Sequence, residues 1–358
     1  MRLTRTCQVA SSFCLGVVVT ALSSYLGLFH DGVPLDLKAA FLSVQNKQMR
    51  MTLEAPDLEI WKDKNLTQTG HGHTVSTTSH VLPMERFAYG FYAVHEQHLI
   101  AALVNVNRLR KLSATKADFV ILTNVKTNLN ISSDVRLTPY TRLRSPMGYY
   151  ADCFTKLIFF NMTQYERVIF LDVDVLVLKP LDALFRLPDV PIASPIAYWL
   201  DPPMFTAAFL VIKPNVTLFD VLVKKTDDIM KINLFDMDLL NFFYRHKDNK
   251  YEHFIFPELI LLPGYFLTLS PHLGKEIMNW TDEERPKKLS TPFLDVDKLN
   301  DLTYVVHFSG GPKPWNLMES KIWNGSTEMT YYHKYNLDFK KEYNAISKNR
   351  FKRPPKQP

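Results

Sequence analysis

The sequence predicts an α/β domain with a mostly parallel central sheet, and three observations carry that expectation. Apolar runs of strand length alternate with helical patterns from residue 87 onward. The first two runs are separated by a helix, as parallel neighbours require. The chain has 358 residues, 46% hydrophobic and 13% aromatic, which is enough apolar mass to close a large core.

Taken in order, FAYGFYAV (87–94) reads as a strand and EQHLIAALVNVNRLRKL (96–112) as an amphipathic helix with Leu99, Ala102, Val106 and Leu109 on one face. ADFVILTN (117–124) reads as the second strand. YYADCFTKLIFFNMTQY reads as a helix, ERVIFLDVDVLVL as one long strand, and VPIASPIAYWL and FTAAFLVIKP as further strands. TLFDVLVKKTDDIM and DMDLLNFFYRH follow as helices, and TYVVHF (303–308) closes the series. No internal repeat is present.

The flanks have a different character. Residues 7–29 carry no charge and are long enough to span a bilayer, while Arg2 and Arg5 precede them. The expected organisation is a cytoplasmic tail (1–6), a transmembrane signal-anchor (7–29), a stem (30–84), the α/β domain (85–345) and a basic, proline-rich tail (346–358). A cleaved signal peptide is the competing reading of 7–29. The stem is rich in Thr, Ser, Gly and His; its His71, His73 and His80 read as a solvated linker rather than a metal site. Sequons begin at Asn65, Asn130, Asn161, Asn215, Asn279 and Asn324, all beyond the apolar run, as a lumenal domain of a type II membrane protein would permit. Of three cysteines only Cys153 lies beyond that run, so no disulfide within the domain is available.

The formal charge of +6 is scattered, and no zinc-finger, homeodomain or RNA-recognition pattern is found, so no nucleic-acid partner is expected. There is no Gly-x-Gly-x-x-Gly and no Walker A motif, which removes dinucleotide and P-loop chemistry. What stands out is Asp172-Val173-Asp174 within an apolar run. On a continuous strand the two carboxylates share one face, and burying them together calls for a cation between them. A purely structural reading, with one Asp capping a turn and the other paired with a lysine, is the alternative. Asp236–Asp238 opens a helical pattern, where a capping role is the simpler reading, and Asp295–Asp297 reads as a solvated turn. If a divalent cation is bound, carboxylate oxygens suit Mg²⁺ or Mn²⁺, and a nitrogen ligand tilts the choice to Mn²⁺. HFSGGPKPW supplies one: His307 at a strand end, then a Gly-Gly-Pro turn able to meet phosphate, then Lys313.

The order of FAYGFYAV, LIAALVNVNRLRKL, FTKLIFFNMTQYERVIFLDVDVLVLKPLDALF, FLVIKPN, DMDLLN and HFSGGPKPW resembles the glycogenin-like family 8 glycosyltransferases from about residue 87 to 320. AYWL, FTAAFLVIKP, DMDLLN and LLPGYF are most similar to its fungal N-acetylglucosaminyltransferase-like branch. The resemblance implies a GT-A fold, a UDP-sugar donor, a glycan or glycoprotein acceptor such as a mannose chain, Mn²⁺, and transfer with retention. It implies Asp172, Asp174 and His307 as metal ligands, with Val173 between the carboxylates at the donor, and Gly310 and Lys313 at the diphosphate. It puts Tyr92, Val94 and His95 near uracil and ribose, Lys156 beside the donor as a catalytic group, and Asp236 beside the anomeric carbon. His98 stands where the family has a tyrosine for the base, and Thr206, Ala207 and Ala208 stand where glycogenins carry Asn-Ser/Ala-Gly, so the donor sugar is expected to differ. A related enzyme using UDP-glucose, UDP-galactose or UDP-glucuronate, and a catalytically silent lumenal glycan-binding protein, are the alternatives.

Overall fold

The computed structural model describes residues 86–143, 151–200, 204–231, 234–245, 259–274 and 296–350. The expected membrane segment, the stem with its three histidines, Asp295 and the sequons at Asn65 and Asn279 lie outside the described residues. No helix among the described residues is long and apolar enough to cross a membrane.

β1 (Phe87–Ala93) is buried along nearly all its length, as befits a strand covered on both faces. The chain returns through α1 (Glu96–Leu112), which buries the four expected face residues and also Asn105. β2 (Asp118–Thr123) and β3 (Val135–Thr138) extend the sheet in parallel on one side of β1, and β4 (Arg167–Leu171) joins in parallel on the other. Then come β5 (Val175–Val177), β6 (Ile192–Ala197), β7 (Met204–Phe205), β8 (Phe209–Ile212), α2 (Val216–Lys231) and α3 (Asp236–Arg245). β9 (Leu259–Leu262), β10 (Thr268–Leu269), α4 (Val296–Leu302), β11 (Val305–His307), α5 (Glu319–Ile322) and α6 (Tyr331–Lys348) complete the described elements. The large sheet runs β3-β2-β1-β4-β8-β6-β7 with β9 on β6; a small sheet runs β10-β11-β5.

Three expectations need correction. The sheet is mixed, because β8 runs antiparallel to both β4 and β6. Only a short stretch separates β6 from β8, too little for the crossover that a parallel return needs. Second, ERVIFLDVDVLVL is two strands in two sheets, and Asp172, Val173 and Asp174 form the turn between them. Asp172 N–H still donates to Ala208 O of the large sheet at 2.9 Å, whereas Asp174 O accepts from Phe308 N–H beyond β11 at 2.9 Å. The two carboxylates are thus placed by a handover between sheets, not by strand alternation. Third, the helix expected around FTKL is a 3₁₀ segment, Cys153–Asn161. Its three-residue repeat stacks Phe154, Leu157 and Phe160 into the core, each fully buried, and puts Lys156 on a second line with Cys153 and Phe159.

Phe159 closes this packing against Gly90 of β1, where an added Cβ would stand 2.5 Å from the ring. Gly90→Ala is therefore expected to cost about 1–3 kcal/mol by overpacking, read as a lower urea midpoint with an unchanged slope.

Candidate active site

β1 and β4 are parallel neighbours, so their carboxyl ends open on one edge of the sheet, where α/β folds hold ligands. Lys156 reaches this edge from the 3₁₀ segment. Its Nζ lies 2.6 Å from Asp236 Oδ2 and 3.2 Å from Asp172 Oδ1, and it donates to Ala207 O at 3.0 Å, with the side chain only 3% exposed. The Phe170 ring lies beneath the ammonium at 5.2 Å. Burial works against the charge on Lys156, but Asp172 and Asp236 outweigh it and hold the amine well above its ordinary range. Burial pushes Asp172 up to about 6, with Lys156 opposing. One buried cation thus links two carboxylates from distant parts of the chain.

A second charged group adjoins the first. Asp174 pairs with Lys313 at 2.8 Å and faces His307 Nε2 at 3.5 Å. Burial would raise Asp174, but His307 and Lys313 together hold it well below the carboxylate range. Lys313 also donates to Phe308 O at 2.6 Å, which folds the intervening loop back on itself. That loop turns through Gly310 and Gly311 at φ +68° and +48°, a left-handed pair that glycine adopts without strain, and the space beside both is open.

The sequence places Asp172, Asp174 and His307 together as metal ligands. Asp174 and His307 do meet, while Asp172 faces Lys156, and among the described residues no three acidic, histidine or cysteine side chains are arranged around a cation. The donor chemistry nevertheless fits a divalent ion. Asp172 Oδ1, which faces Lys156 Nζ at 3.2 Å, and His307 Nδ1 are buried and make no hydrogen bond, so one carboxylate and one imidazole retain an unspent acceptor.

The expected nucleoside residues sit at the end of β1. Tyr92 stacks on Phe170 with centroids 6.0 Å apart, and burial, then Asp172, pushes its hydroxyl up. Val94 is half-buried and His95 exposed. The His98 ring lies 5.4 Å from His95 and edge-on to Trp315 at 6.1 Å, and its Nδ1 is buried without a partner. Burial, then His95, holds His98 below its ordinary pKa. Thr206, Ala207 and Ala208 are buried, and each carbonyl is committed: to Ser194 Oγ, to Lys156 Nζ and to Asp172 N–H respectively. They form a wall of the site.

Asp236 and Asp238 divide the two roles that the sequence leaves open for this pair. Asp238 Oδ2 accepts Phe235 N–H at 3.0 Å as a helix cap, which leaves Asp236 to Lys156. Asn241, unremarked in the sequence, clamps Phe205 from the same helix: Nδ2 donates to Phe205 O at 2.8 Å and Oδ1 accepts Phe205 N–H at 3.0 Å. It ties the helix of Asp236 to the strand entering Thr206–Ala208. The signal for it is a lone amide one helical turn after Asp238.

The model of glycosyl transferase family 8 matches residues 71–193, which include Tyr92, Lys156, Asp172 and Asp174. The likeness to this family is thus carried by residues 71–193. The chain is also similar to a Gibberella zeae protein named Glucose N-acetyltransferase 1, 35% identical over 185 residues, covering 49% of this chain and 37% of that protein. An Aspergillus fumigatus protein of the same name is 26% identical over 273 residues, covering 66% of each. The chain therefore spans less than two thirds of either relative. A solved galactosyltransferase, LgtC with donor and acceptor sugar analogs, aligns with TM-score 0.51 at 14% identity over 75% of this chain and 98% of that one. The fold is GT-A. Asp236, His307 and Lys313 lie beyond the matched residues and rest on the geometry given above.

Proposed function

We propose that this protein is a UDP-sugar-dependent glycosyltransferase of family 8 that acts with retention on a glycan or glycoprotein acceptor, with N-acetylglucosamine as the favoured sugar. The observation that carries this reading is Lys156, a buried cation shared by Asp172 and Asp236 and seated next to the Asp174–Lys313 pair. The hard step in such a transfer is departure of UDP while positive charge grows on the anomeric carbon. Lys313 and Lys156 would place preorganised positive charge at the leaving diphosphate. Asp236 would face the growing positive charge of the sugar, its own position held by Lys156 and Asn241. The Gly310–Gly311 turn would offer peptide groups to phosphate, and Tyr92, Val94 and His95 would border the nucleoside. Asp172, Asp174 and His307 would hold Mn²⁺, which when bound supplies Lewis-acid neutralisation of the diphosphate.

A donor screen tests the activity. Full-length protein with Mn²⁺ and mannose-chain acceptors is expected to release UDP from UDP-N-acetylglucosamine. Release from UDP-glucose, UDP-galactose or UDP-glucuronate alone would replace the sugar and keep the enzyme. No release from any of the four would leave the glycan-binding alternative standing.

We place the domain in the Golgi lumen behind a signal-anchor at residues 7–29. The described sequon asparagines, Asn130, Asn161, Asn215 and Asn324, are all exposed. Protein made in a eukaryotic secretory host is expected to gain electrophoretic mobility on endoglycosidase treatment; identical mobility before and after would contradict the lumenal placement.

A further inference from the structure

β5 begins immediately after Asp174 and is an outer strand of the small sheet. On its inner side β11 supplies partners: Phe308 N–H donates to Asp174 O at 2.9 Å and Leu178 N–H to Tyr304 O at 2.8 Å, flanking the Leu176–Val306 pair. Strand alternation then turns the peptide groups of Val175 and Val177 to the opposite side. No strand pairs there among the described residues, and both valines are fully buried, so water is not a substitute.

A side chain takes the strand's place. Asn105 of α1 is 0% exposed; its Nδ2 donates to Val175 O at 2.7 Å and its Oδ1 accepts Val177 N–H at 3.0 Å. A primary amide offers the same donor and acceptor as a peptide, so these two bonds reproduce a strand pairing. Arg108, one turn along α1, donates from Nε to Val177 O at 2.6 Å and pairs with Glu342 at 2.7 Å. Any apolar residue at position 105 would fill the helix face equally well and leave two buried peptide groups unpaired.

We propose that Asn105 is a positioning residue for the donor site. It anchors the strand that starts at Asp174 and thereby sets where that carboxylate stands relative to His307 and Lys313. Val175, whose carbonyl Asn105 holds, is both the residue after Asp174 and the register partner of His307, so one bond governs both sides of the pair. Arg108 grips the far end of β5 and lacks that leverage. The inference rests on the transferase reading, in which Asp174, His307 and Lys313 receive a divalent cation with a nucleoside diphosphate.

The test measures Mn²⁺ binding directly, by the electron paramagnetic resonance signal of free Mn²⁺, with and without UDP, on full-length wild type, Asn105→Ala and Arg108→Ala. Thermal midpoints are taken alongside. Asn105→Ala is expected to weaken Mn²⁺ binding in the presence of UDP at least tenfold. Arg108→Ala is expected to lower the midpoint while binding stays within twofold of wild type. Binding by Asn105→Ala within twofold of wild type, or equal weakening in both variants, would overturn the proposal, since a general loosening would explain the second. If Asn105→Ala does not fold, Asn105→Ser keeps a hydroxyl for one of the two bonds and is expected to weaken binding at least threefold; unchanged binding there overturns it too. Absence of Mn²⁺ binding in the wild type itself would overturn the transferase reading and this inference with it.

Discussion

Lys156→Met is expected to lower the stability of the domain by about 3–5 kcal/mol and the rate of UDP release by at least about a hundredfold. Methionine keeps the length of the side chain and its contact with Phe170, so packing is nearly conserved while the charge is removed. Asp236, at 2.6 Å, and Asp172, at 3.2 Å, then lose their shared partner in a site where the lysine side chain is 3% exposed. Removing one member of a buried ionic group strands the others, which costs more than the group contributes when intact. The pH dependence carries the sign. Burial already raises Asp172 to about 6 with Lys156 opposing it, and without the lysine Asp172 rises further. A carboxyl whose folded pKa exceeds its unfolded value of about 4 takes up protons on folding, so the ionised form is destabilising above that range. The gap in urea midpoint between wild type and Lys156→Met is therefore expected to be widest near pH 7 and to narrow by pH 5. A gap that stays constant across that range would mean that lost packing, not stranded charge, explains the variant.

Why does the resemblance mark Lys156 as a donor-side residue without marking it as the link between Asp172 and Asp236? Nothing local marks it. The link depends on a 3₁₀ repeat that puts residue 156 in line with Cys153 and Phe159, and on a helix some eighty positions later whose capping is done by Asp238 instead of Asp236. By contrast β1, α1 and β2 could be read nearly to the residue, because alternating apolar runs and a helical face are local signals that tertiary packing here reinforces. The failure at ERVIFLDVDVLVL has the same root. Its composition is that of one buried strand, and only the pairing of its halves with different partners, β8 and β11, breaks it at the two aspartates. Asn105 was invisible for a related reason. On the helix face it looks like a polar intruder among Ala101, Ala102 and Val106, and its use becomes plain only when β5 arrives without a neighbouring strand. Sequence periodicity reports what an element buries; it does not report which peptide groups of another element need a partner.

Asp174→Asn is expected to reduce UDP release by about a thousandfold or more while the protein remains folded, and its contrast with Asp172→Asn makes the expectation sharp. Asp174 is the carboxylate that two cationic or cation-ready groups, Lys313 and His307, hold well below its ordinary pKa. Its ionised form therefore contributes to folded stability at all pH values above about 4, and that contribution fades as pH falls through the lower folded value. Asparagine preserves the shape and one acceptor for Lys313, but leaves the ammonium without a counter-charge, so a loss of about 1–3 kcal/mol is expected near pH 7. Asp172 is in the opposite condition, since burial raises its pKa and its ionised form is tolerated only through Lys156, which retains Asp236 at 2.6 Å if Asp172 is neutralised. Asp172→Asn should accordingly leave the urea midpoint near that of wild type, or raise it, while UDP release falls as severely as in Asp174→Asn. Two substitutions of one chemistry, two positions apart, would then share a catalytic defect and differ in stability. The shared defect is the mark of carboxylates held for a ligand, with Asp174 alone also supporting the fold, and full activity in either variant would remove that residue from the donor site.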